Sequence, residues 1–397
     1  MKTAPSFTDV SHAEAVERAR ALVPALRERA ARAEEARVVL PETMADLHRT
    51  GLLRALQPKR WGGMELGIVA AFDIGYELAR GCASTSWTAV NLLIHHWMLA
   101  LYEEQGQRWI WDTDPEACIA SGVATAQGGA RKVEGGYRVS GRWNFSSGVN
   151  VSDWNMLAAT VREGDKVVDH RLCLLHKSEY AVVDDWQVLG MRSTGSMTVV
   201  AEDVFVPTHR AACMYETRGG DHPGAAVNPG AVYRVALPML AGHIIGAVLV
   251  GNAQAALEMT VDSVKARSTS YTGARMRDIQ AIQIRTGAAG ARIAAARQLM
   301  RSEYIEAQEI AERGEVPDLE TKLRCKRDAA YVATLCTEAV DILHALAGAN
   351  GLYDTYPIQR TFRDAHAGAS HFLFGNDLHF SNWGLLALGG DVKNPLL

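Results

Sequence analysis

In AVERARALVPALRERAARAEEA, close to the N-terminus, apolar residues recur every three or four positions and charges fill the opposite face. That period predicts an amphipathic helix. The helical pattern runs from Ser11 to about Ala100, punctuated by Pro41 and by PKRWGG at 58–63. Within it, STSWTAVNLLIHHWMLALY is apolar almost throughout, which predicts a helix buried on most sides. The pattern changes after Cys118. VEGGYRVSGRWNFSSG has a Gly-Gly turn, then Tyr137, Val139 and Trp143 in the two-residue phase of a strand. NMLAATV, RLCLLH, EYAVVDDW and MTVVAEDVFVP are further short β-prone runs, and GGDHPGAAVNPG (219–230) reads as a connection. Helical periodicity returns from about Ala231 in three long segments. The expectation is a mostly α protein with a central β domain, in three units: 1–118 helical, 119–226 β, and 227–397 a helical bundle.

Composition narrows the partners. The 397 residues carry 41 basic and 45 acidic side chains, a formal net charge of −4, and no basic run, so nucleic acid is not expected. The six cysteines lack close pairs or Cys/His ligand spacing, so neither a disulfide framework nor a metal site is expected. The N-terminal stretch lacks the layout of a signal peptide, and no apolar run approaches the roughly 18 residues of a membrane span. No membrane association and a cytoplasmic location are the expectation. No GxGxxG follows a strand and no GxxxxGK[ST] occurs, so binding of a nicotinamide or nucleoside triphosphate by this chain is not supported.

WNFSSG, LGMRSTGS, DVFVP and GANGLYDTYPIQRTFRDA, set in the order helical, β, helical, resemble the acyl-CoA dehydrogenase superfamily along nearly the whole chain. The resemblance implies an N-terminal helical domain, a β-barrel-like middle domain, a C-terminal four-helix bundle, and a homotetramer with flavin between subunits. Dehydrogenases of this kind need a carboxylate after the late Arg-Asp-Ala motif. Here that stretch reads HAGASHFLFGND, with Phe372 or Phe374 in the slot, and neither can take a proton. An earlier helix used by some relatives offers only His243.

DWQVLGMRSTGS, GRWNFSSG, SWTAVNLLIHHW and RDAHAGASH are similar instead to the oxygenase components of two-component flavin-dependent monooxygenases. Such a protein would take reduced flavin from a separate NAD(P)H-dependent reductase, form a C4a-hydroperoxide with O2 and hydroxylate a small aromatic substrate. Protecting that adduct needs a dry pocket and a hydrogen-bonding group near flavin N5. Ser146 and Ser147 are the candidates, not separable from the sequence. A phenol titrates at about 10, so a nearby imidazole suits its activation. His371 and His95 are the candidate bases, each with the alternative of a structural histidine.

The resemblance further implies flavin contacts from Arg192, Thr194 and Ser196 in LGMRSTGS, from Arg267 and Gln280, and from Gly348 and Gly351 of the glycine-rich turn. Trp143 could stack on the flavin or sit in the core. Trp97, Phe372 and Phe374 could wall the substrate pocket along with the two histidines. Ala345 stands where the family has a glutamine, which leans toward reduced FMN over FADH2. An acyl-CoA-oxidising enzyme and an N- or S-oxygenase are the alternative readings.

Overall fold

The computed structural model describes residues 4–392. Five helices come first: α1 (His12–Ala36), α2 (Pro41–Thr50), α3 (Val69–Gly81), α4 (Ala83–Ala100) and α5 (Glu104–Trp111). The start of α1 is fixed by Ser11, whose Oγ accepts the Glu14 N–H at 3.2 Å, and its end by Arg37 in the left-handed conformation. Every residue of α4 except Asn91 is buried, as its unbroken apolar pattern predicts.

The middle region is one twisted sheet of β1 (Ile119–Gly122), β2 (Gly128–Val133), β3 (Gly136–Ser146), β4 (Trp154–Glu163), β5 (Lys166–His176), β6 (Ala181–Val183), β7 (Met197–Pro207) and β8 (Ala211–Cys213). The strand order is β6-β7-β3-β2-β4-β5-β8, with β1 pairing parallel to β4. Tyr137, Val139 and Trp143 of β3 all point into a small core of this sheet's own. Room for the Trp143 indole comes from glycines. A Cβ on Gly122, Gly128 or Gly141 would lie within 2.8 Å of Trp143 atoms. The indole N–H donates to the Ala158 carbonyl at 2.7 Å. Trp143 is therefore a core residue, which decides between the two roles left open by the sequence and removes it from the flavin contacts.

The chain then forms α6 (Leu237–Ala266), α7 (Gln280–Glu312), α8 (Leu319–Ala347), α9 (Pro357–Ala369) and α10 (Asn376–Ala387). α6 is the hub, packing on α3, α4, α7, α8 and α9. By length and composition, α6 and the stretch 319–352 could each cross a bilayer, which corrects the expectation that no segment approached that length. Yet 88% of the apolar window of α6 is buried against its neighbours, the environment of a bundle's central helix. Mostly α with a central sheet domain is the architecture observed.

Candidate active site

The site lies where three distant segments meet: α4, the ends of β3 and β7, and the chain around α9. The pairing of β3 with β7 is antiparallel, with Ser146 opposite Met197, so the next step outward sets Ser147 against Ser196. Their Oγ atoms are 2.8 Å apart. A register shift between Trp143 and Ser146 lets this end of β3 turn away from strict alternation, and Phe145 there has φ 66. A bulge of this kind re-aims side chains, and strain at a bulky residue persists only where its surroundings hold it.

The two serines now separate. Ser146 is fully buried and its Oγ accepts from Asn155 Nδ2 at 2.9 Å, so it serves the sheet and is removed from the candidates for flavin contact. Ser147 sits at the seam. Trp87 of α4 donates its indole N–H to Ser147 Oγ at 3.1 Å. The chain of hydroxyls continues from Ser147 to Ser196, from Ser196 to Thr194 at 2.7 Å, and from Thr194 to the Met191 carbonyl at 2.8 Å.

The loop carrying these hydroxyls is clamped by α9. Asp364 Oδ1 accepts the Met191 N–H at 2.6 Å, and Arg363 Nη1 donates to the Leu189 carbonyl at 2.9 Å and pairs with Glu34 of α1. A Cβ on Gly190 would lie 2.4 Å from the Arg363 carbonyl, so only glycine permits this approach. Burial pushes the Asp364 carboxyl up to about 6, against the pull of the Met191 N–H. Arg192 is exposed, with its Nε on the Val188 carbonyl at 2.8 Å.

Trp87 also reaches the other end of the site. Its ring meets His371 edge-on at a centroid distance of 5.7 Å. Gly368 lies beside it: a Cβ there would be in ordinary contact with the Trp87 ring at 3.6 Å and would crowd Leu249 at 2.8 Å. His371 Nδ1 accepts the Leu373 N–H at 3.3 Å, so the neutral ring carries its proton on Nε2. His95 lies two turns beyond Trp87 on α4, roughly 12 Å along the axis. Its Nδ1 is 2.6 Å from the Ile119 carbonyl, which can only accept, so the neutral ring keeps its lone pair on Nε2. The two imidazoles thus present opposite faces, a donor at His371 and an acceptor at His95. Burial lowers both to about 4. Each is neutral at pH 7, and neither titrates near neutrality as the sequence alone suggested.

Other expected residues fall elsewhere. Trp97 is completely buried and donates to the Val232 carbonyl at 2.7 Å, which corrects its placement as a pocket wall. Phe374 joins the bundle core beneath His371, while Phe372 is 61% exposed with its ring 4.7 Å from His371. Arg267 ends α6, 18 residues or roughly 27 Å beyond Leu249, which packs beside Trp87 and Gly368. Its guanidinium lies 3.5 Å from both Ser263 Oγ and Tyr356 Oη. Gln280 opens α7 and is exposed; Gly348 is exposed, with open space around it; Gly351 is closed against His344. Within one chain these four do not join the Ser147 cluster. The sequence shows Asp364 within a motif but not its partner, and gives no role to Trp87. A tryptophan in an almost wholly buried helix needs an acceptor for its N–H, and that requirement was the available signal.

The polar atoms at the seam suit a flat heterocycle rich in donors and acceptors. Thr88 Oγ1 is buried beside Gly148 without a partner, and Ser147 Oγ has an unused lone pair. The N-terminal domain family of acyl-CoA dehydrogenases matches residues 11–113, and the acyl-CoA dehydrogenase C-terminal domain family matches 243–376. The chain is 34% identical to the oxygenase subunit HsaA, a flavin-dependent monooxygenase of Rhodococcus jostii, over 90% of this chain and 93% of that protein. It is 31% identical to the oxygenase component of an FADH2-dependent resorcinol hydroxylase from a Rhizobium species, over 96% of each. The crystal structure of a 3-HSA hydroxylase from Rhodococcus superposes with a TM-score of 0.92 at 32% identity, covering 98% of this chain and all of that one. The chain belongs to the acyl-CoA dehydrogenase family, in the branch of flavin-dependent monooxygenase oxygenase components.

Proposed function

We propose that this protein takes reduced flavin from a separate NAD(P)H-dependent reductase in the cytoplasm and uses O2 to hydroxylate a small phenolic or polycyclic aromatic. One observation carries the reading. The seam joins an ordered hydroxyl chain, through Trp87, to the neutral imidazole of His371, and its buried carboxyl, Asp364, is already committed to a backbone N–H. Abstraction of a proton next to a thioester carbonyl needs a free carboxylate, so acyl-CoA oxidation is disfavoured. The resorcinol hydroxylase takes FADH2 by name, and on that ground we favour FADH2 over the FMN suggested by Ala345.

Bound reduced flavin supplies the electrons that activate O2. The chain's own residues do the rest. Ser147 meets the ring with Ser196 and Thr194 lined up behind it, Trp87 screens it from water, and His95 Nε2 accepts the substrate O–H. A phenol at about 10 facing an imidazole that burial holds at about 4 keeps its proton in the ground state. His95 therefore orients the phenol by a hydrogen bond and takes the proton only as the ring is attacked. His371 Nε2–H donates to the oxygen being transferred.

Arg267, Gln280, Gly348 and Gly351 serve the flavin tail of a neighbouring subunit in a homotetramer. A recess of about 300 Å3 beside Ser263, Leu346 and Tyr356 supports this assignment. The test is turnover with a generic flavin reductase, NADH and O2, comparing phenols, indoles and acyl-CoAs. Phenol hydroxylation that falls in His95→Ala is expected. Stoichiometric reduction by an acyl-CoA without reductase would sink the proposal.

A further inference from the structure

The hydroxyl chain has a direction, and the direction is set at Met191. Thr194 spends its single O–H proton on the Met191 carbonyl, so toward Ser196 it can only accept. Ser196 must then donate to Thr194, and Ser147 must donate to Ser196. Trp87 Nε1–H fills one lone pair of Ser147 Oγ. What remains on Ser147 is one unfilled lone pair, an acceptor with no proton to give. The anchor is itself held: Met191 has φ 55, its N–H is tied to Asp364, and its carbonyl also receives the Trp186 indole N–H at 3.3 Å.

We infer that Thr194 and Ser196 are positioning residues that orient the Ser147 hydroxyl as an acceptor, and so make the site select reduced over oxidised flavin. This rests on the flavin reading above. The two redox forms differ at N5, which carries a proton in the reduced ring and a bare lone pair in the oxidised one. An acceptor at Ser147 meets the first and repels the second. Reversing the chain is possible, but it breaks the Thr194–Met191 hydrogen bond. The loss of one such bond sets the preference at about tenfold.

The experiment measures Kd for FAD and for anaerobically reduced FAD, without substrate or turnover, in wild type, Thr194→Val, Thr194→Ser and Ser196→Ala. Thr194→Val keeps the shape and removes the anchor; Ser196→Ala removes the acceptor for the Ser147 proton. Both free Ser147 to donate, so the ratio of oxidised to reduced Kd should fall about tenfold, while Thr194→Ser keeps the wild-type ratio. A purely structural role would weaken both forms equally and leave the ratio unchanged, and that result overturns the inference. If wild type binds both forms with equal affinity, the inference also fails, though the flavin reading stands. Wild type that binds neither form overturns the flavin reading itself.

Discussion

Two buried polar clusters, one in the bundle and one at the seam, are built from similar side chains yet end differently. In the bundle, His243 of α6 pairs with Glu303 of α7, and Arg324 of α8 reaches the other Glu303 oxygen at 3.3 Å. Asp328 hydrogen-bonds Glu303 and takes Arg327 Nε at 2.7 Å. Burial works against the Glu303 charge, but His243, Asp328 and Arg324 together hold its carboxyl below the usual range. The Cys325 thiol beside it is raised far by burial and stays protonated. Along α4 and the seam, by contrast, Thr88 Oγ1, the Ser147 lone pair and Nε2 of both His95 and His371 meet no partner among the described residues. A satisfied cluster fixes how helices pack; an unsatisfied one keeps hydrogen-bonding capacity for a ligand.

That contrast can be broken first in the bundle. Glu303→Ala leaves His243 and Arg324 without their shared carboxylate, and removing one partner of a buried pair costs about 3–5 kcal/mol. The expected result is a clear fall in the thermal midpoint, with unchanged hydroxylation per folded molecule. Lost turnover in a variant that remains folded would show that the bundle cluster belongs to the site after all. At the seam the balance should invert. His95→Ala is expected to lower kcat/KM for a phenol by about 100-fold, the scale of a lost proton-transfer partner, with only a small change in thermal midpoint.

The architecture was legible because each region has one clean period. The 3.6-residue phase of the helices and the two-residue phase of Tyr137, Val139 and Trp143 both hold in the structure. What periodicity could not say is which side of β3 meets a ligand. Trp143 looked like a candidate because a strand's alternation gives two faces without saying which one is core, and the space left by Gly122, Gly128 and Gly141 decided it. Ser146 and Ser147 were inseparable for the same reason, until the register with β7 set Ser147 against Ser196. Asp364 was visible within its motif but not its role, since its partner Met191 lies 173 positions away. His243, Glu303 and Cys325 come from three helices, and no spacing rule joins them.

Acid titration separates the seam's groups by sign. His95 and His371 are held near 4 in the folded protein against 6.5 in the open chain. Between those values the unfolded chain binds protons that the native site refuses, so each imidazole subtracts stability as pH falls from 6.5 toward 4. Asp364 runs the other way. Its carboxyl sits at about 6 when folded and 3.8 when unfolded, so its charge burial subtracts stability as pH rises through that interval. Asp364→Asn keeps an acceptor for the Met191 N–H and removes that cost. The thermal midpoint of this variant should exceed wild type at pH 8 by an amount worth about 1–2 kcal/mol, once the new amide N–H is counted, and the gain should vanish by pH 4. Arg360, Arg363 and Glu34 are the charges acting on this carboxyl. A variant less stable than wild type at pH 8 would mean that the Asp364 charge itself holds the loop.

The smallest expected effect is a flat line. With both imidazoles neutral above about pH 5, the chemical step of phenol hydroxylation, followed by single turnover of preloaded reduced enzyme, should not vary between pH 6 and 8. A base titrating near 6.5 would produce a rise across that window. Such a rise, if abolished by His95→Ala, would mean that the bound ligand restores to His95 the basicity that burial removes, and the seam would then work by proton transfer in the ground state and not by orientation.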